Sequence, residues 1–177
     1  MSFASLMKVQ NLANIKSFAV NKNKKTQYFQ NAEDSIFGDK LDRAFVEISN
    51  WNGYKPTPLK ELSNLSSFCG LRKVFYKDES CRLGLGSFKA LGGAYAVMQV
   101  ADRHRCKGNV ISDLVVATAS AGNHGRSVAW GARQVGCKSK IYVHAGVSAD
   151  RATAMADYGA EVIRINGNYD EALAACI

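Results

Sequence analysis

From residue 72 to the end of the sequence, short apolar runs alternate with longer segments in which apolar residues recur every three or four positions. The short runs predict β-strands and the longer segments predict amphipathic helices. Strands that alternate with helices favour right-handed crossovers onto a largely parallel sheet. With 177 residues, 47% of them hydrophobic, the chain is long enough to bury such a core. It is therefore predicted to be an α/β protein, a three-layer sandwich with a mainly parallel sheet.

Local signals set the predicted boundaries. The predicted strands cover 72–79, 112–119, 138–145 and 160–165, and the predicted helices cover 86–105, 123–136, 148–159 and a segment that starts at 169. The run over 112–119, "SDLVVATA", gives the strongest strand signal and is predicted to be buried. Gly136 is expected to end one helix, Ser148 to cap the next, and Gly159 to end that one.

The first 55 residues differ in character from the rest. They are polar and poorly periodic, apart from helical spacing over 41–51. Pro56 and Pro58, the two prolines of the chain, then force an extended path. We assign 1–55 to an N-terminal arm with a first helix and 56–177 to the α/β domain. Because the last predicted helix is still running at an apolar position, we expect this domain to be truncated at its C-terminus.

The net charge of +8 is unevenly distributed. Removing the five lysines that precede Glu33 leaves about +3 on the remaining chain, an ordinary value for a globular protein. We therefore interpret the basic start as a solvated arm and expect neither a nucleic-acid partner nor membrane association. No apolar run approaches the length of a transmembrane helix or a signal peptide. The five lysines are Lys8, Lys16, Lys22, Lys24 and Lys25.

Cysteine and histidine spacing bears on compartment and metal binding. The five cysteines are scattered and include no Cys-x-x-Cys pair, so neither a disulfide framework nor a zinc site is predicted. A reducing, cytoplasmic location fits this pattern best. His104 and His144 have no partners at metal-ligand spacing, and His124 has no serine or cysteine arranged around it. We predict no metal site and no hydrolytic triad.

Two loops that lead from a predicted strand into a predicted helix are the candidate ligand sites, because ligands of parallel sheets bind beyond the carboxyl ends of strands. The first is "DESCRLGLGSFK", where Gly84-x-Gly86 matches a dinucleotide fingerprint only weakly since Lys89 replaces the third glycine. The second is "TASAGNHGR", which places Ser120 to Asn123 at a helix start. Backbone amides and the helix dipole there favour an anion such as a carboxylate.

Lys89 lies in "GLGSFKALGGA", a run that is otherwise glycine, small or apolar. A lysine in a helix is usually a solvated surface residue. Its neighbours at helical spacing leave no clear polar face, however, so Lys89 is a candidate buried amine. Burial disfavours the ammonium form, and a neutral amine can form a Schiff base with an aldehyde cofactor.

Several ordered motifs resemble one enzyme family. "SFKALGGAYA" and "SAGNHGRSVAWGA" are similar to the pyridoxal-phosphate enzymes of the tryptophan synthase β-like group (fold type II), which includes threonine and serine dehydratases, serine racemase and cysteine synthase. "GYKPTPL", "FKALGGAYA", "GNHGR" and "GNYDEA" most resemble the diaminopropionate ammonia-lyases. The resemblance runs from about residue 53 to the end. It implies a pyridoxal 5'-phosphate cofactor, an amino acid substrate and, for a full-length protein, a homodimer.

The resemblance also implies roles for individual residues. Lys89 would carry the cofactor as a Schiff base and act as the general base that removes the substrate α-proton. Phe88 would pack near the cofactor and Asn123 would hydrogen-bond the pyridine 3'-oxygen. The loop that holds the substrate α-carboxylate would consist of Ser120, Ala121, Gly122 and His124.

The implied reaction is β-elimination, in which 2,3-diaminopropionate gives pyruvate and ammonia. One position departs from the ammonia-lyase pattern, because Ala121 stands where those enzymes carry an acid or base on the second face of the cofactor. An alanine there is similar to threonine dehydratases, so an L-threonine or L-serine dehydratase is an alternative, and we expect an enzyme confined to L-amino acids. Nothing after Arg126 resembles the family's phosphate-binding loop. A truncated, non-catalytic fragment or pseudoenzyme is therefore the alternative of another class.

Overall fold

The computed structural model describes the backbone of residues 39–177 and the side chains of 41–177. The basic lysines of the N-terminal arm lie outside the described residues. The described chain divides into two compact units: one consists of 39–43 and Leu59–Tyr76, and the other of Ala44–Pro58 and Lys77–Ile177. Helix α1 (Asp39–Ser49) confirms the helical spacing seen over 41–51. No helix in the described range is long and apolar enough to cross a membrane.

The smaller unit contains short elements. Strands β1 (Leu59–Glu61) and β2 (Phe75–Lys77) form a two-stranded sheet, with helix α2 (Ser63–Phe68) between them. The strand predicted over 72–79 is therefore much shorter than expected. β2 begins only after Val74, whose N–H donates to the Ser66 hydroxyl at 2.8 Å, although its carbonyl still accepts from the Leu62 N–H at 2.8 Å.

The larger unit has the predicted α/β alternation. Its sheet is parallel, in the order β3-β4-β5. Helices α3, α4 and α5 contribute to one apolar cluster with the buried β4 residues Ile141 and Val143, whereas α6 also packs on the sheet but buries Ala172 outside that cluster. The sheet thus lies between two helical layers, and the predicted fold class is confirmed. In chain order these elements are α3 (Lys89–Cys106), β3 (Val115–Ala119), α4 (Asn123–Val135), β4 (Lys138–His144), α5 (Ala149–Ala156), β5 (Glu161–Ile165) and α6 (Tyr169–Cys176).

The prediction that the strand over 112–119 is buried is wrong. β3 is an edge strand of the three-stranded sheet in the described part of the chain, and Val115 is 44% exposed. The central strand is β4, in which every second residue from Ser139 to Val143 is buried. An apolar run indicates a strand but not its place in the sheet, which depends on the crossovers that follow.

The predicted helix ends are largely confirmed. Gly136 follows α4 with φ +79°, the left-handed conformation that glycine adopts without steric cost. Ser148 occupies the N-cap position of α5, although its hydroxyl makes no capping hydrogen bond. Gly159 has φ +85°, but α5 ends three residues before it. Asn168 caps α6 by accepting from the amides of Asp170 and Glu171, a capping box that was not predicted.

Candidate active site

Close packing of α3 on α4 brings the two candidate loops together. The hydroxyl of Ser127, one turn into α4, donates to the carbonyl of Lys89, the first residue of α3, at 2.8 Å. A Cβ on Gly93 would lie 2.9 Å from Ser127 Cβ and 3.4 Å from His124 Nδ1. The two helices can approach this closely only because the residues at their contact are small. The first turns of α3 and α4 therefore lie side by side.

Lys89 is exposed, so the prediction of a buried amine is wrong. The side chain at the first position of a helix leans back toward the N-terminus, away from the apolar residues that follow it in sequence. Accordingly, Lys89 Nζ lies 5.2 Å from the ring centroid of Phe88, itself 57% exposed. The structure presents the amine at the helix start, open to a reactant.

The loop before α4 keeps its amides available. Ser120 continues β3 through an N–H bond to the Tyr142 carbonyl at 3.1 Å. Its hydroxyl oxygen accepts from the amides of Gly125 at 3.0 Å and Gly122 at 3.4 Å. The amides of Ala121, Asn123 and His124 have no hydrogen-bond partner within the described ranges. At the N-terminus of a 13-residue helix, such donors attract an anion, as expected from the sequence.

A cavity of about 330 Å³ opens beside this loop. Arg126 was not identified from the sequence, yet its Nε is buried and has no hydrogen-bond partner among the residues described. A desolvated, unpaired guanidinium donor favours an anionic ligand. An arginine in the first turn after a small-residue loop was the signal for it in the sequence. The lining residues are Ala121, Gly122, Asn123, Arg126, Asp150, Arg151 and Ala154.

The predicted site residues do not all face one space. Ala121, Gly122 and Asn123 line the cavity beside Arg126, whereas His124 lines a second cavity of about 380 Å³ between α3 and β3. The side chain of Asn123 is exposed and has no partner in the described part of the chain. In the loop predicted to hold the carboxylate, the backbone donors therefore lie together, whereas the imidazole of His124 lines the second cavity.

The loop before α3 is held by a network around Arg82, which is 6% exposed. Its guanidinium donates to both carboxylate oxygens of Glu79, at 2.7 and 2.8 Å. It also donates to Thr57 Oγ1 at 2.9 Å and to the Lys55 carbonyl at 3.2 Å. The Thr57 hydroxyl in turn donates to Glu79 at 2.6 Å. Hydrogen bonds from Arg82 lower the pKa of Glu79 from its ordinary value of 4.5 to about 2, although burial opposes this shift.

The parallel α/β fold and the two loops at the helix starts point to one class of protein. Comparison with known sequences supports the same class. The family described as "Pyridoxal-phosphate dependent enzyme" matches residues 51–177, more than half of the chain. The chain belongs to this family of pyridoxal-phosphate-dependent enzymes.

Two relatives and one solved structure show which members of the family the chain resembles. Diaminopropionate ammonia-lyase of Escherichia coli K12 is 40% identical over 130 residues, which cover 67% of this chain and 33% of that protein. The biosynthetic L-threonine dehydratase of Salmonella typhimurium LT2 is 33% identical over 136 residues, covering 76% and 24%. The crystal structure of the Escherichia coli ammonia-lyase in complex with D-serine matches with a TM-score of 0.69 and 38% identity, covering 77% and 37%. The chain spans about a third of the length of the ammonia-lyases it matches.

The residues at the helix starts fit the cofactor of this family. An exposed primary amine on Lys89 is the group that an aldehyde requires. Among the residues described, the side-chain amide of Asn123 has no partner and is available to a ring oxygen, and the unbonded backbone amides and Arg126 Nε are donors for anionic groups.

Proposed function

We propose that this chain carries the lysine-bearing part of the active site of a pyridoxal-phosphate-dependent ammonia-lyase. The reaction is β-elimination of 2,3-diaminopropionate, which with one water gives pyruvate and two molecules of ammonia. The observation that carries the proposal is the amine of Lys89, exposed at the start of α3 and tied through its carbonyl to Ser127 of α4, beside the donor loop. The 40% identity to the ammonia-lyase supports the choice of substrate.

The proposed roles are those that the family resemblance implies for these residues. When bound, the cofactor supplies the electron sink that makes the substrate α-proton acidic. Lys89 Nζ would hold the cofactor through its aldehyde and would accept the substrate α-proton. Asn123 would hydrogen-bond the 3'-oxygen of the ring, and Phe88 would pack beside the cofactor. The substrate carboxylate is held at the start of α4 by the loop formed by Ser120, Ala121, Gly122 and His124, where the amide of His124 rather than its imidazole faces the anion.

A second candidate function rests on Ala121. This side chain is half-buried, packs against the core and has no proton to exchange, so it cannot act on the second face of the cofactor. That feature favours an L-threonine or L-serine dehydratase, as does the 33% identity to the threonine dehydratase. Keto-acid release from D- and L-diaminopropionate, L-serine and L-threonine separates the candidates. Brisk turnover of the D-isomer would contradict the role given to Ala121.

The amine of Lys89 is tested directly by adding pyridoxal phosphate to the purified chain, recording the visible spectrum and reducing with borohydride. We expect a visible absorption band and a covalent label on Lys89. Lys89→Ala should lose both, whereas Lys107→Ala, at the other end of the same helix, should keep both. A colourless, unlabelled protein would support the non-catalytic fragment instead.

Further proposals concern the whole protein. We propose that 56–177 forms the N-terminal part of the catalytic domain and that 1–55 forms an arm with a first helix. A homodimer is proposed for the full-length enzyme, and its mass in solution tests it. The scattered, unpaired cysteines support a cytoplasmic location.

A further inference from the structure

Arg82 is the one charged side chain that is buried among residues 41–177. Its partners come from two separate segments: Thr57 and Lys55 lie in the turn that contains the prolines, and Glu79 lies at the start of the loop that leads to α3. We call Arg82, Glu79 and Thr57 the Arg82 clamp. A buried guanidinium is stable only with partners of good geometry, and here both oxygens of one carboxylate are engaged. The clamp therefore fixes the point from which the loop starts.

The loop that leaves the clamp has a strained backbone. Leu83 has φ +50°, a left-handed conformation that costs a non-glycine residue about 1–2 kcal/mol. Gly84 and Gly86 are also left-handed, with φ +71° and +70°. Such conformations persist where the surroundings over-determine them, and they concentrate at functional sites. The clamp holds the start of this loop, and Leu85, 2% exposed, anchors its middle in an apolar cluster with Ala90 of α3.

Lys89 follows the loop directly. Six residues, 83–88, separate it from Arg82, and the last of these lead straight into α3. Among the described residues, neither Arg82 nor Glu79 makes a hydrogen bond or a salt bridge to Lys89, so we infer that their effect on the amine passes through the conformation of the loop.

We propose that Arg82 and Glu79 are positioning residues that hold residues 83–88 in the single conformation that presents the Lys89 amine at the start of α3. The functional part of this inference rests on the proposed role of Lys89. The hold on the loop can be measured without any cofactor.

The test uses the full chain with Arg82→Lys, which keeps the charge but loses the bidentate geometry, and Thr57→Val, which removes the hydroxyl that accepts from Arg82 and donates to Glu79. The matched control is Arg105→Lys, because Arg105 forms an exposed ion pair with Asp102 at the same i,i+3 spacing. Amide hydrogen exchange is followed over 83–91 and, as an internal reference, over 138–144. Borohydride-trapped pyridoxyl label on Lys89 is quantified by mass spectrometry for each variant.

Arg82→Lys should speed exchange over 83–91 by about tenfold or more and lower the label on Lys89 by a similar factor, with β4 unaffected. Thr57→Val should change both in the same direction but less, and Arg105→Lys should change neither. If Arg82→Lys does not fold, Thr57→Val decides the question.

Unchanged exchange over 83–91 in Arg82→Lys and Thr57→Val would overturn the proposal. Faster exchange with undiminished label would overturn the positioning role and leave Arg82 as a stability residue. An unmodified chain that takes no label at Lys89 would remove the proposed function, while the exchange rates would still decide whether the clamp orders the loop.

Discussion

The two loops that face the start of α3 and α4 are built in opposite ways. The loop of residues 79–88 uses side chains: a buried arginine, its carboxylate partner and a threonine hold a backbone with three left-handed residues. The loop of residues 120–124 uses a single hydroxyl, that of Ser120, and leaves three backbone amides without hydrogen-bond partners among the described residues. The first arrangement fixes where one side chain, Lys89, is placed. The second arrangement leaves backbone amides available to a ligand. If the fold used these amides in its own hydrogen bonds, they could not bind an anion.

This contrast predicts that the largest loss of stability comes from breaking the Arg82–Glu79 pair of the first loop. Arg82→Met leaves the poorly solvated Glu79 carboxylate without its ion-pair partner, and should lower the free energy of unfolding by about 3 kcal/mol or more. Arg105→Met breaks an exposed pair and should cost less than about 1 kcal/mol. Urea unfolding of both variants measures the difference. Equal losses would show that burial of Arg82 does not distinguish the two pairs.

The Arg82–Glu79 pair also predicts a loss of stability at acid pH that arises in the first loop. The pKa of Glu79 is lowered to about 2 in the folded chain, so the unfolded state binds its proton first as the pH falls. The stabilisation is complete above about pH 5 and is lost progressively toward pH 2, amounting to roughly 3 kcal/mol. Glu79→Gln should flatten this part of the curve of unfolding free energy against pH. A variant with the same acid slope as the parent would contradict the assignment.

The contact that joins the two loops is tested by neighbouring glycines in α3. Gly93→Ala forces a Cβ against Ser127 and should destabilise the chain by about 2 kcal/mol. Gly92→Ala meets nothing within 4 Å and should stabilise it by about 0.5–1 kcal/mol, because alanine is the better helix former. Thermal unfolding should therefore shift in opposite directions. Shifts of the same sign would argue against the close approach of α3 and α4.

Substitution in the second loop should lower the stability of the chain least. Ser120→Ala removes the acceptor for the Gly122 and Gly125 amides and should cost about 1 kcal/mol. Ser148→Ala is the control, since Ser148 stands at an N-cap but its hydroxyl makes no capping bond, and it should be close to neutral. Urea midpoints of the two variants compare them. A cost at Ser120 above that of Arg82→Met would reverse the comparison between the loops.

Much of the candidate site was predictable because its signals are local. The small residues of 120–123 before a helical segment indicated an anion site, and Gly136 indicated a helix end. The exposure of Lys89 was not predicted, because helical spacing counts neighbours along the chain without regard to the direction in which a terminal side chain leans. Arg82 was missed because its partner Thr57 lies 25 positions away.

The sequence by itself determined the alternation of strands and helices, the α/β class and the two loops, since these depend on patterns over three to five residues. The tertiary structure alone decided that β4 rather than β3 is the buried strand, that Ser127 joins the starts of α3 and α4, and that Arg82 clamps the loop before Lys89. These features depend on which segments pack together, and they involve residues distant in the chain, such as Ser127 with Lys89 and Arg82 with Thr57. Side-chain periodicity carries no information about such pairs, so they appear only once the helices are folded onto the sheet.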